Sequence, residues 1–145
     1  MTMKVSTVRY EGALRTQALH LPSGTVIHTD APVDNQGLGS SFSPTDLMAT
    51  ALASCMFTIM GIKARDKGWD LTGMTADVTK IMAADPRRIA GIMLEIQMPE
   101  GDWSESSRLI LERAARTCPV ALSLLPELAV DLKIQWPAPA AGPFG

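Results

Sequence analysis

SPTDLMATALASCMFTIMGI, residues 43–62, is the stretch that decides the fold. Ser43 is placed to cap a helix, because its hydroxyl can accept from an amide that the first helical turn leaves without a partner. Pro44 falls at the first helical position, where a missing N–H costs nothing. Asp46, at the third, can reach back to the cap and favours the positive end of the helix dipole. From Leu47 to Ile62 no charge interrupts the run, so the helix is apolar on nearly every face and is expected in the middle of the molecule. Lys63, Arg65, Asp66 and Lys67 mark its return to water, and Gly68 supplies a stop. The uncharged run is shorter than the ~18–20 residues of a bilayer span, so it reads as a core helix.

Working outward from that helix, the upstream third reads as strands. Lys4–Tyr10, Leu14–Leu21 and Thr25–Thr29 are short runs rich in extended-chain residues, separated by Glu11-Gly12 and Pro22-Ser23-Gly24. They predict an antiparallel meander, followed by a loop over Asp30–Ser41. Downstream, Met74, Ala76 and Val78 alternate with polar residues, and so do Ile92, Leu94, Ile96 and Met98 with Met93, Glu95 and Gln97. With Asp85-Pro86-Arg87-Arg88 between them, these runs predict a hairpin that buries one face. A second helix is expected from near Ser104. Leu111, Ala114, Ala115 and Cys118 fall on its inward face, and Arg108, Glu112 and Arg116 on a wet one. Pro119 interrupts it, a short helical turn follows, and Val130, Leu132, Ile134 and Trp136 form a last strand. The order predicts an α+β fold with largely antiparallel sheets around a long buried central helix. The expected domain is residues 1–136, with 137–145 a mobile Pro-rich tail.

Bulk composition narrows the function classes. The 145 residues are 46% hydrophobic and 19% charged, enough for a real core and against disorder. Aromatics are only 5% and Met occurs nine times, so the core is expected to be aliphatic and Met-rich. The net charge of -2, with both signs interspersed, lacks the basic stripe that phosphate contacts need, which argues against a nucleic-acid partner. Met1–Val5 holds no apolar stretch of the signal-peptide kind, and the expectation is a cytoplasmic protein without a membrane span. One wholly apolar helix is much to cover in so small a chain, which favours an obligate homodimer.

Two residues can carry redox chemistry. Cys55 lies within the apolar helix, and Cys118 stands before Pro119. As bare residue types they read first as small core hydrophobes. If Pro119 begins a helical turn, however, Cys118 is its N-cap, and the dipole is expected to lower its pKa below the free value of ~8.5. Metal binding fits poorly, because the cysteines are unpaired in spacing and the only histidines, His20 and His28, lie on early strands. No cofactor is called for, since no Gly-rich loop joins a strand to a helix.

Ser43-Pro44-Thr45-Asp46-Leu47 followed by Ala51-Leu52-Ala53-Ser54-Cys55, together with Cys118-Pro119-Val120 ahead of Ser123-Leu124, resembles the two cysteine segments of the OsmC/Ohr family. Thr29-Asp30-Ala31-Pro32 and the Gly-rich loop behind it resemble the OsmC-like branch. The resemblance reaches to about Trp136. It implies an intertwined homodimer with active sites at the subunit interface. The activity it implies is thiol-dependent reduction of organic hydroperoxides, and less efficiently of hydrogen peroxide. By that resemblance Cys55 attacks the peroxide, Cys118 resolves the sulfenic acid to a disulfide, and a dithiol or thiol reductant reopens it. The family supplies an arginine from the N-terminal strands to help the thiol ionise. Arg15 is the better match and Arg9 the fallback. In the Ohr branch a glutamate that orients this arginine follows the proline. Here that position is Thr45, with Asp46 one residue later, either as the replacement or as a helix cap only.

Two other readings compete. In one, the protein is a non-catalytic dimeric module whose interface pocket, rich in Met48, Met56 and Met60, holds a small apolar ligand. In the other, the cysteines form a structural disulfide.

Overall fold

The structure is a computed structural model that describes residues 1–138; the tail expected over 137–145 falls almost wholly outside the described residues. The chain divides into two compact units, Met1–Met48 and Ala49 onward.

The first unit is the expected meander. Strands β1 (Ser6–Gly12), β2 (Arg15–His20) and β3 (Val26–Asp30) form one antiparallel sheet in the order β1-β2-β3. Cross-strand pairing sets Val8, Ala18 and Ile27 in one row, and Arg9, Gln17 and His28 in the next row, on the opposite face. The β1–β2 turn lies later than the Glu11-Gly12 expected. Ala13 (φ 54°) and Leu14 (φ 63°) take the left-handed conformation there, usual for glycine or asparagine in a two-residue hairpin turn. Tyr10 helps to hold the turn, its hydroxyl accepting from the Leu14 N–H at 3.2 Å. After β3 the chain folds back on itself through a 3-10 turn at Val33–Asn35. Gly37 permits this, because a Cβ there would lie 1.7 Å from the Ala31 carbonyl oxygen.

Helix α1 (Pro44–Lys67) starts in the first unit and continues through the second. It begins where the sequence places it. The Ser43 N–H donates to Asp46 Oδ2 at 2.9 Å and the Asp46 N–H to Ser43 Oγ at 3.1 Å, a reciprocal capping box. Its packing corrects the expectation of a helix buried all round. Ala49, Leu52, Ala53, Met56, Met60 and Ala64 form one buried face, while Met48 and Ile62 remain about half exposed. The reason is that apolarity without a polar face carries no information on which side turns inward. By length and composition α1 would also suit a membrane span, but Leu52, Met56 and Met60 pack it into the protein core.

In the second unit, β4 (Thr75–Ala83) and β5 (Arg88–Gln97) make the predicted hairpin, and Ile92, Leu94 and Ile96 are fully buried from one face of β5. Burial of each such side chain stabilises the fold by about 1.5–3 kcal/mol. Helix α2 (Glu105–Arg116) is capped by Ser104, whose Oγ accepts from the Ser107 N–H at 3.2 Å, and it buries Leu111, Ala114 and Ala115 as expected. Glu112 and Arg116 pair on its outer side. Arg108 departs from the wet face assigned to it. Its Nε donates to the Trp103 carbonyl at 3.1 Å and its guanidinium lies 5.3 Å from the centre of the Trp136 ring. After the short helix α3 (Pro119–Ser123), strand β6 (Ala129–Gln135) runs parallel to β5, so the sheet β4-β5-β6 is mixed. The crossover through α2 and α3 makes that parallel pairing possible.

Candidate active site

Cys55 sits at the margin of the buried face of α1, one position before Met56, and is partly exposed. Cys118 lies between α2 and α3 and is fully buried. Both thiols are free. Cys118 is the N-cap of α3, as the sequence implies, and its Sγ accepts from the Ala121 N–H at 3.4 Å. The neighbouring amide does something sequence reading missed: the Val120 N–H donates to the Cys55 sulfur at 3.5 Å. The same turn that caps itself with Cys118 therefore also presents a donor to the thiol on α1. No side-chain pattern signals a backbone donor, and only the Cys-Pro start of α3 hints at it.

The electrostatics of Cys118 reverse the expectation of an acidified N-cap thiol. Burial pushes its pKa up, and that effect outweighs the opposing Ala121 N–H; the hydrogen bond with Cys55 and the Cys55 charge raise it further. A five-residue helix has a small dipole, while a buried thiolate forfeits nearly all its hydration, so desolvation wins. The Cys-Pro turn therefore brings the two thiols together, with burial holding the proton on Cys118 and the Val120 N–H on the Cys55 sulfur.

Of the three methionines on α1 singled out by the sequence, Met56 and Met60 are fully buried in the core and Met48 is exposed. A cavity of about 440 Å³ is lined by Ile59 and Lys63 of α1 and by Leu109, Ile110, Arg113 and Ala114 of α2.

The remaining candidates belong to the first unit. Arg15 pairs directly with Asp30 across β2 and β3, and its guanidinium donates to Ser40 Oγ at 3.4 Å. Asp30 is completely buried. The Ser40 hydroxyl and then the Ser40 N–H, at 3.0 Å, hold its carboxyl below the usual carboxylate range against its burial, and the Arg15 charge adds to them. Arg9 is differently engaged, with Gln17 and Glu11 on the exposed sheet. Asp46 carries the capping box described above. Sequence reading had noted Asp30 only as part of a matching segment. Among the described residues, no cluster of three or more His, Cys, Asp or Glu side chains is placed to hold a metal ion.

A family of OsmC-like proteins matches residues 37–133, a span that holds the α1 thiol and the Cys-Pro turn. This chain belongs to the OsmC-like family. Its fold recurs in solved members. A candidate osmotic stress induced and detoxification response protein of Psychrobacter arcticus 273-4 is 51% identical over 93% of this chain and 98% of that one, with a TM-score of 0.89. An OsmC organic hydroperoxide resistance protein from Legionella pneumophila is 14% identical over 94% of this chain and all of that one, with a TM-score of 0.72. A candidate organic hydroperoxide resistance protein of Vibrio cholerae, with captopril bound in one of its active sites, is 15% identical over 92% and 93%, TM-score 0.71. A search of curated proteins gives no match. The OsmC-like α+β fold expected from the cysteine segments is thus the fold found.

Proposed function

We propose that this OsmC-like protein is a two-cysteine peroxidase that reduces organic hydroperoxides and, more slowly, hydrogen peroxide. The observation that carries the reading is the thiol pair. Two free cysteines from separate elements meet at one turn, which places the Val120 N–H on the Cys55 sulfur and buries Cys118 so that it holds its proton. A structural pair of core hydrophobes has no need of such a polar contact. The names of the Legionella and Vibrio relatives point to the same substrate class.

The steps balance as follows. The Cys55 thiolate attacks the outer peroxide oxygen; an S–O bond forms, the O–O bond breaks, and the alkoxide leaves as the alcohol after taking a proton. Cys55 is then a sulfenic acid. The sulfur of Cys118 attacks it, an S–S bond forms, and the hydroxyl leaves as water. A dithiol reductant gives up two electrons and two protons to restore both thiols. In this reading Arg15 supplies the cation that favours the Cys55 thiolate.

The protein is further read as a cytoplasmic homodimer. Free thiols suit a reducing compartment. The three-stranded sheet leaves Val8, Tyr10, Leu19, Val26 and Ile27 exposed, more apolar surface than an isolated small sheet sustains in water.

Steady-state consumption of cumene hydroperoxide and of hydrogen peroxide, with dithiothreitol present, tests the reading. The wild type is expected to turn over both, with the higher kcat/KM for cumene hydroperoxide, and Cys55→Ser neither. A wild type that consumes no peroxide, or a Cys55→Ser protein that matches it, refutes the peroxidase.

A further inference from the structure

Asp30 is a completely buried carboxylate that the thiol chemistry does not use. Its Oδ1 has no hydrogen-bond partner at all. An ionised carboxylate out of water is costly unless charge and donors compensate it, so a fold that keeps one half-satisfied has a reason to. Much of the local chain is committed to this group. The Asp30 N–H bonds to the Phe42 carbonyl at 3.1 Å, and the Gly39 N–H to the Ala31 carbonyl at 3.1 Å. Gly37 packs against Ala31 where no Cβ fits. The fold-back that results delivers both the N–H and the hydroxyl of Ser40 to Asp30 Oδ2.

The charge of Asp30 has one cation set against it by register. Arg15 is its cross-strand partner, on the same sheet face, and Arg15 also donates to Ser40 Oγ. A carboxylate only accepts, so the Ser40 hydrogen must point at Asp30, which leaves the Ser40 lone pairs to face the guanidinium. The hydroxyl therefore transmits the direction of the carboxylate to the arginine. Asp46, the carboxylate nearer in sequence to the family glutamate, is tied to Ser43 in the capping box.

We propose that Asp30 and Ser40 are the positioning residues of Arg15, the buried carboxylate orienting the guanidinium through the Ser40 hydroxyl for its work on the peroxidatic thiol. The proposal deepens the peroxidase reading and rests on it, because it takes Arg15 to serve Cys55. It also gives the unpartnered Oδ1 a use, as a second acceptor towards which the guanidinium can move.

Two measurements test it on the full-length protein. The first needs no turnover: the Asp30 carboxyl is titrated by carbon-13 NMR in wild type and in Arg15→Ala. Loss of the guanidinium is expected to move the Asp30 midpoint to higher pH, and an unmoved midpoint overturns the pairing. The second follows the pH profile of Cys55 alkylation and kcat/KM for cumene hydroperoxide in Arg15→Ala, Asp30→Asn, Ser40→Ala and the Arg15→Ala/Asp30→Asn double variant. Asp30→Asn and Ser40→Ala are expected to shift the profile towards that of Arg15→Ala and to lower kcat/KM on the order of tenfold, the scale of one charge-assisted hydrogen bond. The double variant should be no worse than Arg15→Ala alone, and Ser40→Thr, which keeps the hydroxyl, should recover most of what Ser40→Ala loses. Ser40 is exposed, so its variants remain informative if Asp30→Asn fails to fold. Folded Ser40→Ala or Asp30→Asn protein with an unmoved profile and kcat/KM within about twofold of wild type overturns the proposal. If Arg15→Ala itself changes neither, it is the role of Arg15 in the peroxidase reading that fails.

Discussion

At the residue scale the two cysteines show where a local rule meets its limit. Helix-end electrostatics nominates Cys118 as the acidic thiol, and its N-cap position is as the sequence implies. Burial is not legible from a Cys-Pro pair, and burial decides the sign. The helix-end argument for Cys118 therefore falls away: burial holds its proton, and the partly exposed Cys55, with the Val120 N–H on its sulfur, is the thiol proposed to attack. Limited iodoacetamide at neutral pH should label Cys55 well before Cys118. A single peroxide equivalent should leave a dimedone-trappable sulfenic acid on Cys55 in Cys118→Ser and none on Cys118 in Cys55→Ser. Mass spectrometry reads both, and the reverse order would assign the two roles the other way round. Asp30 makes the companion case for pH. Its carboxyl is held below the usual range, so it contributes stability that is fully present above the unfolded value of ~3.9 and is lost as pH falls through the folded value. Thermal unfolding followed from pH 6 downward should show the wild type losing stability in that acid window. Asp30→Asn should start less stable and change less with pH, and parallel wild-type and variant curves would deny Asp30 the effect.

At the element scale the boundaries of α1 were legible because capping is written in side chains. Ser43, Pro44 and Asp46 each have a stated job in the first turn, and the hydrogen bonds fall where those jobs require. Ser43 is almost completely buried, so removing its hydroxyl leaves the Asp46 amide short of an acceptor. Ser43→Ala should cost about 1–2 kcal/mol in urea unfolding, towards the upper end for such caps, and a change below ~0.3 kcal/mol would show that the cap is replaced by other contacts. The inward face of α1 was not legible. Met48, Met56 and Met60 look alike in an unbroken apolar run, and only tertiary packing distinguishes the exposed one from the buried two. The parallel pairing of β5 with β6 was hidden for a related reason, since alternation has the same period whichever way the neighbour runs. The Ala13–Leu14 turn was placed too early because neither residue is one that left-handed backbone favours.

At the scale of the whole molecule, the element order, the class and the family were all readable. What links them is a surface that a single chain leaves uncovered. The first unit is a three-stranded sheet with apolar side chains exposed on both faces: Val8 and Ile27 with Tyr10 on one, Leu19 and Val26 on the other. Its buried residues include Thr29, Asp30 and Ser43, all polar, and none of the apolar core residues lies in it. A sheet of this kind, without a core of its own, is marginal in water. The outer side of α1 adds Met48 and Ile62 to the uncovered apolar surface. Mixed charge of low net value does not oppose self-association. A second copy is the economical cover, because a two-fold interface buries each patch twice. Light scattering at micromolar concentration should therefore return a mass near twice 15.5 kDa. Val8→Asp with Ile27→Asp places two charges in the same cross-strand row as Ala18, on a face that the single chain already exposes, so the monomer need not unfold to accept them. The pair should shift the mass towards 15.5 kDa and lower the melting temperature in a concentration-dependent way. A wild type that is monomeric at these concentrations, or a variant that stays dimeric and equally stable, would mean that this sheet is not where two copies meet.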